Sequence, residues 1–213
     1  MGRIYDATWG RAFSALYDRG FKATEEAGLR EMRRELLAQV RGRVLELGAG
    51  TGLNLDHYPK GIESLTLVEP DPHMTKQLRE KLVQSGKSAE ISVVEAPGEE
   101  LPFPDSSFDT IAVTLVFCTV PDPEATLEEI KRVLAPEGQL LFLEHVRAED
   151  PGLAKWQDRL ERPWRFLGDG CHCNRDTVSA IAAAGFAVGN LEHAELPKAP
   201  PIVKPLVRGS ASV

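Results

Sequence analysis

The chain has 213 residues, is 42% hydrophobic and 27% charged, and carries a net charge of −7. This is the composition of one folded domain with a sizeable core, and it excludes a disordered chain. The acidic balance argues against a duplex nucleic-acid partner, no apolar run reaches the roughly 18 residues of a membrane-spanning helix, and three cysteines are too few for a disulfide scaffold.

The amino terminus is broken by Arg3, Asp6, Arg11, Asp18 and Arg19 and has no apolar core of the signal-peptide kind. A cytoplasmic protein is expected, monomeric, with a weak dimer as the alternative. Residues 6–17 place Ala7, Phe13, Leu16 and Tyr17 at loosely helical spacing. A longer helix is expected over residues 24–40, where Ala27, Met32, Leu36, Leu37 and Val40 recur at intervals of three to five. The period then changes. Short apolar runs at 43–47, 65–69, 90–94, 110–118 and 139–145 read as five strands, with helices at 73–85 and 123–134 between them. Strands apolar on both faces and alternating with helices indicate a parallel sheet covered on both sides. The last third offers a helix near 176–184 and two weaker strands near 186–191 and 204–212. The three prolines within 198–205 mark a loop or an edge.

Directly after the first strand comes Gly48-Ala49-Gly50-Thr51-Gly52. Glycine permits positive φ and lets a ligand lie against the backbone. The spacing is G-x-G-x-G, not the G-x-G-x-x-G of dinucleotide folds. A helix amino terminus is expected after the loop, with free amides facing a ligand carboxylate. The plain alternative is an ordinary strand-to-helix turn. Glu69 ends the second strand, twenty-one residues after Gly48. An acidic residue at about that distance holds a ribose diol in adenosine-binding α/β folds. A carboxylate accepts from both hydroxyls at once.

Residues 44–52 resemble the first motif of class I S-adenosylmethionine methyltransferases, and Glu69-Pro70-Asp71 resembles their second. Residues 98–109 and 130–140 resemble the type 11 methyltransferase domain. The resemblance implies an α/β, Rossmann-like class I sheet of about seven strands, mostly parallel, with helices on both faces and a helical N-terminal lid. It implies a single domain: residues 1–40 as lid, 41–146 as cofactor core, 147–213 as acceptor-side elements and last strands. S-adenosyl-L-methionine is the expected cofactor, held by Glu46, Gly48, Ala49, Gly50, Gly52, Asn54, Glu69, Pro70, Met74, Pro97, Gly98, Glu99, Thr114, Leu115 and Cys118. Many relatives have an aspartate where this chain has Pro97, so a backbone contact has to serve the adenine amino group. Tyr5, Trp9, Phe13 and Tyr17 are expected to fold over the site or to dock on the sheet.

Beyond the fifth strand, Leu143-Glu144-His145-Val146 and residues 163–177 resemble the methyltransferase-like thiol S-methyltransferases, as do residues 114–120 and 207–211. The resemblance implies a small-molecule acceptor, a thiol sulfur first. Phospholipid amines, quinone carbons and natural-product hydroxyls are the alternatives within the fold, and a non-catalytic cofactor-binding protein is the alternative outside it. His145, at the carboxyl end of the fifth strand, is the first candidate for a base or acceptor-orienting group. Asp169 and His172 are candidates to close the acceptor pocket, although Asp169 beside Gly168 and Gly170 also fits a turn. Trp156, Trp164 and Phe166 would form an apolar wall or simply pack. Cys171-His172-Cys173 has one residue between cysteines where structural zinc wants two to four, so no metal is expected. Cys118 reads as a small buried apolar residue.

Overall fold

The computed structural model describes residues 11–86 and 91–213, with side chains from Ser14 onward. Helix α1 (Arg11–Thr24) runs through a π turn (Glu25–Leu29) into α2 (Arg30–Leu37). The single helix expected over 24–40 is interrupted because Gly28 sits at φ 138°, outside the helical region. Then follow β1 (Arg43–Leu47), β2 (Ser64–Val68), α3 (Pro72–Gln84), β3 (Ile91–Val94), β4 (Phe108–Thr114), α4 (Pro123–Val133) and β5 (Leu134–His145). The chain ends with α5 (Pro151–Leu167), α6 (Thr177–Ala183), β6 (Ala187–Glu195), a 3-10 turn (Pro201–Val203) and β7 (Pro205–Ser212).

The seven strands form one sheet in the order β3-β2-β1-β4-β5-β7-β6. The strands from β3 to β5 pair in parallel, and β7 enters antiparallel to both β5 and β6. The central strands are buried on both faces. Leu45 and Leu47 of β1 pack with Leu127, Ile130 and Ile181 of α4 and α6 on one side. Val44 of the same strand packs with Leu36, Leu37, Leu78 and Leu82 of α2 and α3 on the other. The strand order reverses between β1 and β4. In open parallel sheets, ligands bind at the carboxyl ends of the strands beside such a reversal.

Helix starts are fixed by aspartates. Asp71, Asp122 and Asp150 each accept backbone N–H bonds at the start of α3, α4 and α5, and each is followed by proline at the first helical position. Asp176 caps α6 through the Ser179 amide. Helix α5 has no counterpart among the elements expected from periodicity. Other boundaries differ too: β5 begins at Leu134 rather than 139 and β6 runs on to Glu195. β4 stops at Thr114, short of Cys118, because Leu115 turns to φ 59° and the Val116 amide donates to the Glu144 carboxylate, 2.7 Å away. Residues 50–57 form successive turns instead of a helix. Their amides bond three residues back, as in Gly52 N to Ala49 O and Leu55 N to Gly52 O. Positive φ at Gly50 and Gly52 prevents a regular helical start.

Candidate functional site

The site is a cavity of about 760 Å³ above the carboxyl ends of β1, β2, β4 and β5. Its first half is built by the glycine loop, where each glycine answers a different need. Gly48 has φ 67°, and a Cβ there would lie 2.4 Å from Val116 Cγ2. Gly52 has φ 84°, and its Cβ would collide with Leu55 and Leu78 at 2.8 Å. Gly50, at φ 56°, would meet only Met74 Sδ, at 3.8 Å, so its missing side chain leaves open cavity.

Glu69 borders the same space and is only 6% exposed. Its Oε2 accepts the Gly50 amide at 2.8 Å and its Oε1 accepts the Asp71 amide at 2.9 Å. Burial pushes its carboxyl up, opposed by those two bonds. The carboxylate thus ties the glycine loop to the turn after β2 and keeps unused lone pairs toward the cavity. Pro70, Met74, Pro97, Gly98 and Glu99 continue this wall, and Thr114, Leu115 and Cys118 face it from the end of β4. A glycine cradle, an acceptor-only carboxylate and an apolar slot match the adenosine and methionine parts of S-adenosylmethionine.

Four residues expected at the cofactor do not border the cavity. Glu46 is 2% exposed and accepts from Asn54 Nδ2 at 2.8 Å and from the Tyr58 hydroxyl at 2.6 Å. Burial pushes it up to about 7. Asn54 also bonds Thr114 and accepts from Arg33 Nη1, so its side chain is engaged behind the loop. Ala49 packs in the core and Gly52 seats the loop against Leu55 and Leu78. Arg33 closes this inner network. It is 3% exposed, pairs with Glu25 at 3.0 Å and donates to Thr114 Oγ1 at 2.8 Å. Arg34, the next residue, instead pairs with Glu31 at the surface.

From α1, Leu16, Tyr17 and Phe21 lie against the cavity, and Tyr17 stacks on Phe21 with centroids 4.6 Å apart. Burial pushes the Tyr17 hydroxyl up to about 12. Tyr5, Trp9 and the side chain of Phe13 lie outside the described residues.

The second half of the cavity is reached past β5. His145 is 4% exposed, and its Nε2 lies 3.0 Å from Cys171 Sγ. Trp164 Nε1 donates to the same sulfur at 3.2 Å. Cys118 joins them: its sulfur, that of Cys171 and a His145 ring nitrogen all lie within 4.8 Å of one another. The Cys118 thiol, with His145 and Trp164, holds the Cys171 thiol well below the ordinary range. Cys118 is pushed up by the same contact and by burial. Burial disfavours a charged His145, but its bond to Cys171 outweighs this and raises it. His145 Nδ1 is buried with no hydrogen-bond partner among the described residues.

Three ties fix the loop that carries Cys118. Glu144 holds the Val116 amide, Arg175 Nη1 donates to Phe117 O at 2.5 Å and Val120 O at 2.7 Å, and the His172 amide donates to Cys118 O at 2.7 Å. Deeper still, Gln157 is fully buried. It accepts the Ala148 amide and shares its own amino group among Val146 O, Cys173 O and Ile202 O.

Asp169 borders the cavity at φ 49°, so it occupies both a turn and the pocket wall. His172 does not border it. Its Nδ1 lies 2.9 Å from Glu161 Oε1, and burial followed by the Arg175 charge lowers it. Of the expected aromatic wall only Trp164 borders the cavity. Trp156 is 54% exposed with Arg159 over its ring, and Phe166 is 51% exposed, because both sit on the outer side of α5. Cys171 was not among the expected site residues, although the Asp169-Gly170-Cys171 run pointed to this place. Nothing local in the sequence joins Cys171 to Cys118, fifty-three residues earlier.

This sheet order, the glycine loop and the acidic strand end define a class I methyltransferase dependent on S-adenosylmethionine. A methyltransferase domain family matches residues 45–142. Thiol S-methyltransferase TMT1B of Homo sapiens is 36% identical over 189 residues, covering 84% of this chain and 77% of that protein. Thiol S-methyltransferase TMT1A of Homo sapiens is 35% identical over 170 residues, covering 79% of this chain and 69% of that protein. A SAM-dependent methyltransferase of Thermotoga maritima shares the fold with a TM-score of 0.67 at 22% identity, over 94% of this chain and 97% of its own. The chain belongs to the methyltransferase family of these thiol S-methyltransferase relatives. No helix among the described residues is long and apolar enough to cross a membrane.

Proposed function

We propose that the chain transfers a methyl group from S-adenosylmethionine to the sulfur of a small thiol. The observation that carries this reading is a single cavity running from Glu69 to His145 and Cys171, in a chain 36% identical to a thiol S-methyltransferase. When bound, the cofactor supplies a sulfonium methyl, the electrophile of an in-line displacement.

The backbone of Gly48 and Gly50 takes the methionine end and Glu69 accepts from the ribose hydroxyls. Pro70 and Met74 flank the adenine, while Pro97, Gly98 and Glu99 line its edge. Glu46 and Asn54 act from behind, holding the loop against β4. Tyr17 and Phe21 on α1 cover the site as a lid and exclude water. The acceptor enters between Trp164, Asp169 and His145.

Alignment is the main contribution of the chain, worth about 7–11 kcal/mol in favourable cases. A free thiol near pKa 8.5 is already about 3% ionised at pH 7. His145 therefore serves chiefly to orient the sulfur and take its proton, a role typically worth 10²–10⁴-fold. The test is methyl transfer from radiolabelled S-adenosylmethionine to sulfide, a simple alkyl thiol, a phosphatidylethanolamine dispersion and a quinol. Product on sulfide or the thiol alone is expected. Label only in lipid or quinol would overturn the acceptor class, and cofactor binding without any product would favour a binding-only protein.

A further inference from the structure

Cys118, His145 and Cys171 come from three elements, yet their ligand atoms lie within 4.8 Å of one another. A tetrahedral zinc ion, with Zn–S near 2.3 Å and Zn–N near 2.0 Å, sets its ligand atoms roughly 3.5–3.8 Å apart. Shifts of about an ångström would bring the three side chains to that spacing. We propose that Cys118, His145 and Cys171 form a binding site for a soft divalent cation of the zinc class, with its fourth position open to the acceptor end of the cavity.

Two thiolates and an imidazole are the donor set that soft and borderline metals select. All three residues are more than nine-tenths buried, and all three line the cavity. Three ligands facing a void match a catalytic metal site, which keeps one position for substrate, whereas structural zinc takes four. The surroundings are built to hold this arrangement. Glu144, Arg175 and the His172 amide fix the Cys118 loop, and Trp164 Nε1 donates to Cys171 Sγ. Such outer-shell bonds orient ligands and tune a metal. Cys173 and His172, the neighbours in sequence, are directed elsewhere: Cys173 packs against Ile202 and Val203, and His172 faces Glu161.

The role of the fourth position rests on the thiol reading above. With the cation bound, His145 is a ligand and no longer the base, so an acceptor thiol would place its sulfur at the open position and release its proton to water. Its lone pair would then form the new S–CH₃ bond. The old S–CH₃ bond would break with its electron pair remaining on the leaving sulfur. The product, a neutral thioether, is a weaker ligand than a thiolate and would depart.

The test uses the full chain, stripped of metal and kept free of oxygen, titrated with Co²⁺. One equivalent is expected to produce a sulfur-to-cobalt charge-transfer band and tetrahedral visible bands, both displaced by one equivalent of Zn²⁺. Cys118→Ser, Cys171→Ser and His145→Ala should each weaken Co²⁺ binding by at least about 100-fold, beyond the 10–100-fold usual for losing an outer-shell partner. Cys173→Ser and His172→Ala should keep the bands. Adding a simple alkyl thiol to the cobalt protein should intensify the charge-transfer band. Absence of the bands in protein that still binds S-adenosylmethionine would overturn the site. So would bands that survive all three ligand substitutions. An unchanged spectrum on adding thiol would overturn the open position. Intact bands and an intact thiol response without methyl transfer would support the metal site while sinking the thiol methylation reading.

Discussion

One substitution can separate the strap formed by Glu69 from its proposed role at the ribose. Its two oxygens each hold a backbone amide, from Gly50 at 2.8 Å and from Asp71 at 2.9 Å. A carboxylate has about four lone-pair sites, so two remain for the ribose. Glu69→Gln keeps the shape but replaces one oxygen with a donor. Whichever amide then faces the new NH₂ group loses its acceptor inside a nearly closed site. A hydrogen bond to a charged group is worth about 1.5–3 kcal/mol, so stability should fall by that amount. Loss of one ribose bond of the same kind should weaken cofactor affinity by roughly 10- to 150-fold, since 1.4 kcal/mol is about tenfold. Urea midpoints of the protein without ligand measure the first effect, and calorimetric titration with S-adenosylmethionine measures the second. Unchanged affinity beside a lower midpoint would remove Glu69 from the ribose and leave it as a strap. Unchanged stability would refute the strap itself.

Other outcomes follow from the same geometry. Burial lifts Glu46 from 4.5 to about 7, so its contribution to stability is complete below about pH 4.5 and is lost as pH rises through about 7. Glu46→Gln should therefore flatten the fall in urea midpoint between pH 5 and pH 8, and a slope equal to that of the unaltered protein would refute the assignment. Arg33→Ala strands Glu25 in a buried pair and should cost about 3–5 kcal/mol, with earlier proteolytic cutting in α1. An unshifted melting curve would count against that pairing. Gly48→Ala forces a Cβ to 2.4 Å from Val116 and should cost about 1–3 kcal/mol of overpacking. Val116→Ala in the same chain should recover the packing part while the cost of positive φ persists. No recovery in the double variant would mean that the backbone, and not the contact, dominates.

The glycine-loop half of the cavity was legible in the sequence because its parts are local. Strand, glycine loop and acidic strand end lie within about 25 residues of one another and repeat a known physical solution. The half past β5 was not, because its parts meet only through the fold. Cys171 pairs with His145, twenty-six residues earlier, and with Cys118, fifty-three earlier. The run Cys171-His172-Cys173 invited a local metal reading and had the wrong spacing for it. Only the fold shows that Cys171 turns to the cavity while Cys173 packs against Ile202 and Val203 and His172 faces Glu161. Helix α5 was hidden for a different reason. Its Asp150-Pro151 start repeats Asp71-Pro72 and Asp122-Pro123. Pro163 nevertheless reads as a breaker, and the exposed Trp156, Phe166 and Leu167 blur the period of its buried face. Arg33 shows the same limit at one position. Nothing in its neighbourhood in sequence distinguishes it from Arg30 or Arg34, yet it is the one of the three buried under the sheet.

The fully buried Gln157 has a consequence for how such a scaffold can change. Carbonyls from the end of β5, from the Cys173 turn and from the 3-10 turn all converge on its amino group. Buried backbone groups need partners, and here one side chain stands in for a ladder of strand bonds. Side chains around this half of the cavity can therefore be exchanged while those carbonyls stay in place. An insertion in either turn would unseat several backbone bonds together. The half of the cavity past β5 is thus a surface for substitution and not for lengthening, and changes there should arise one side chain at a time.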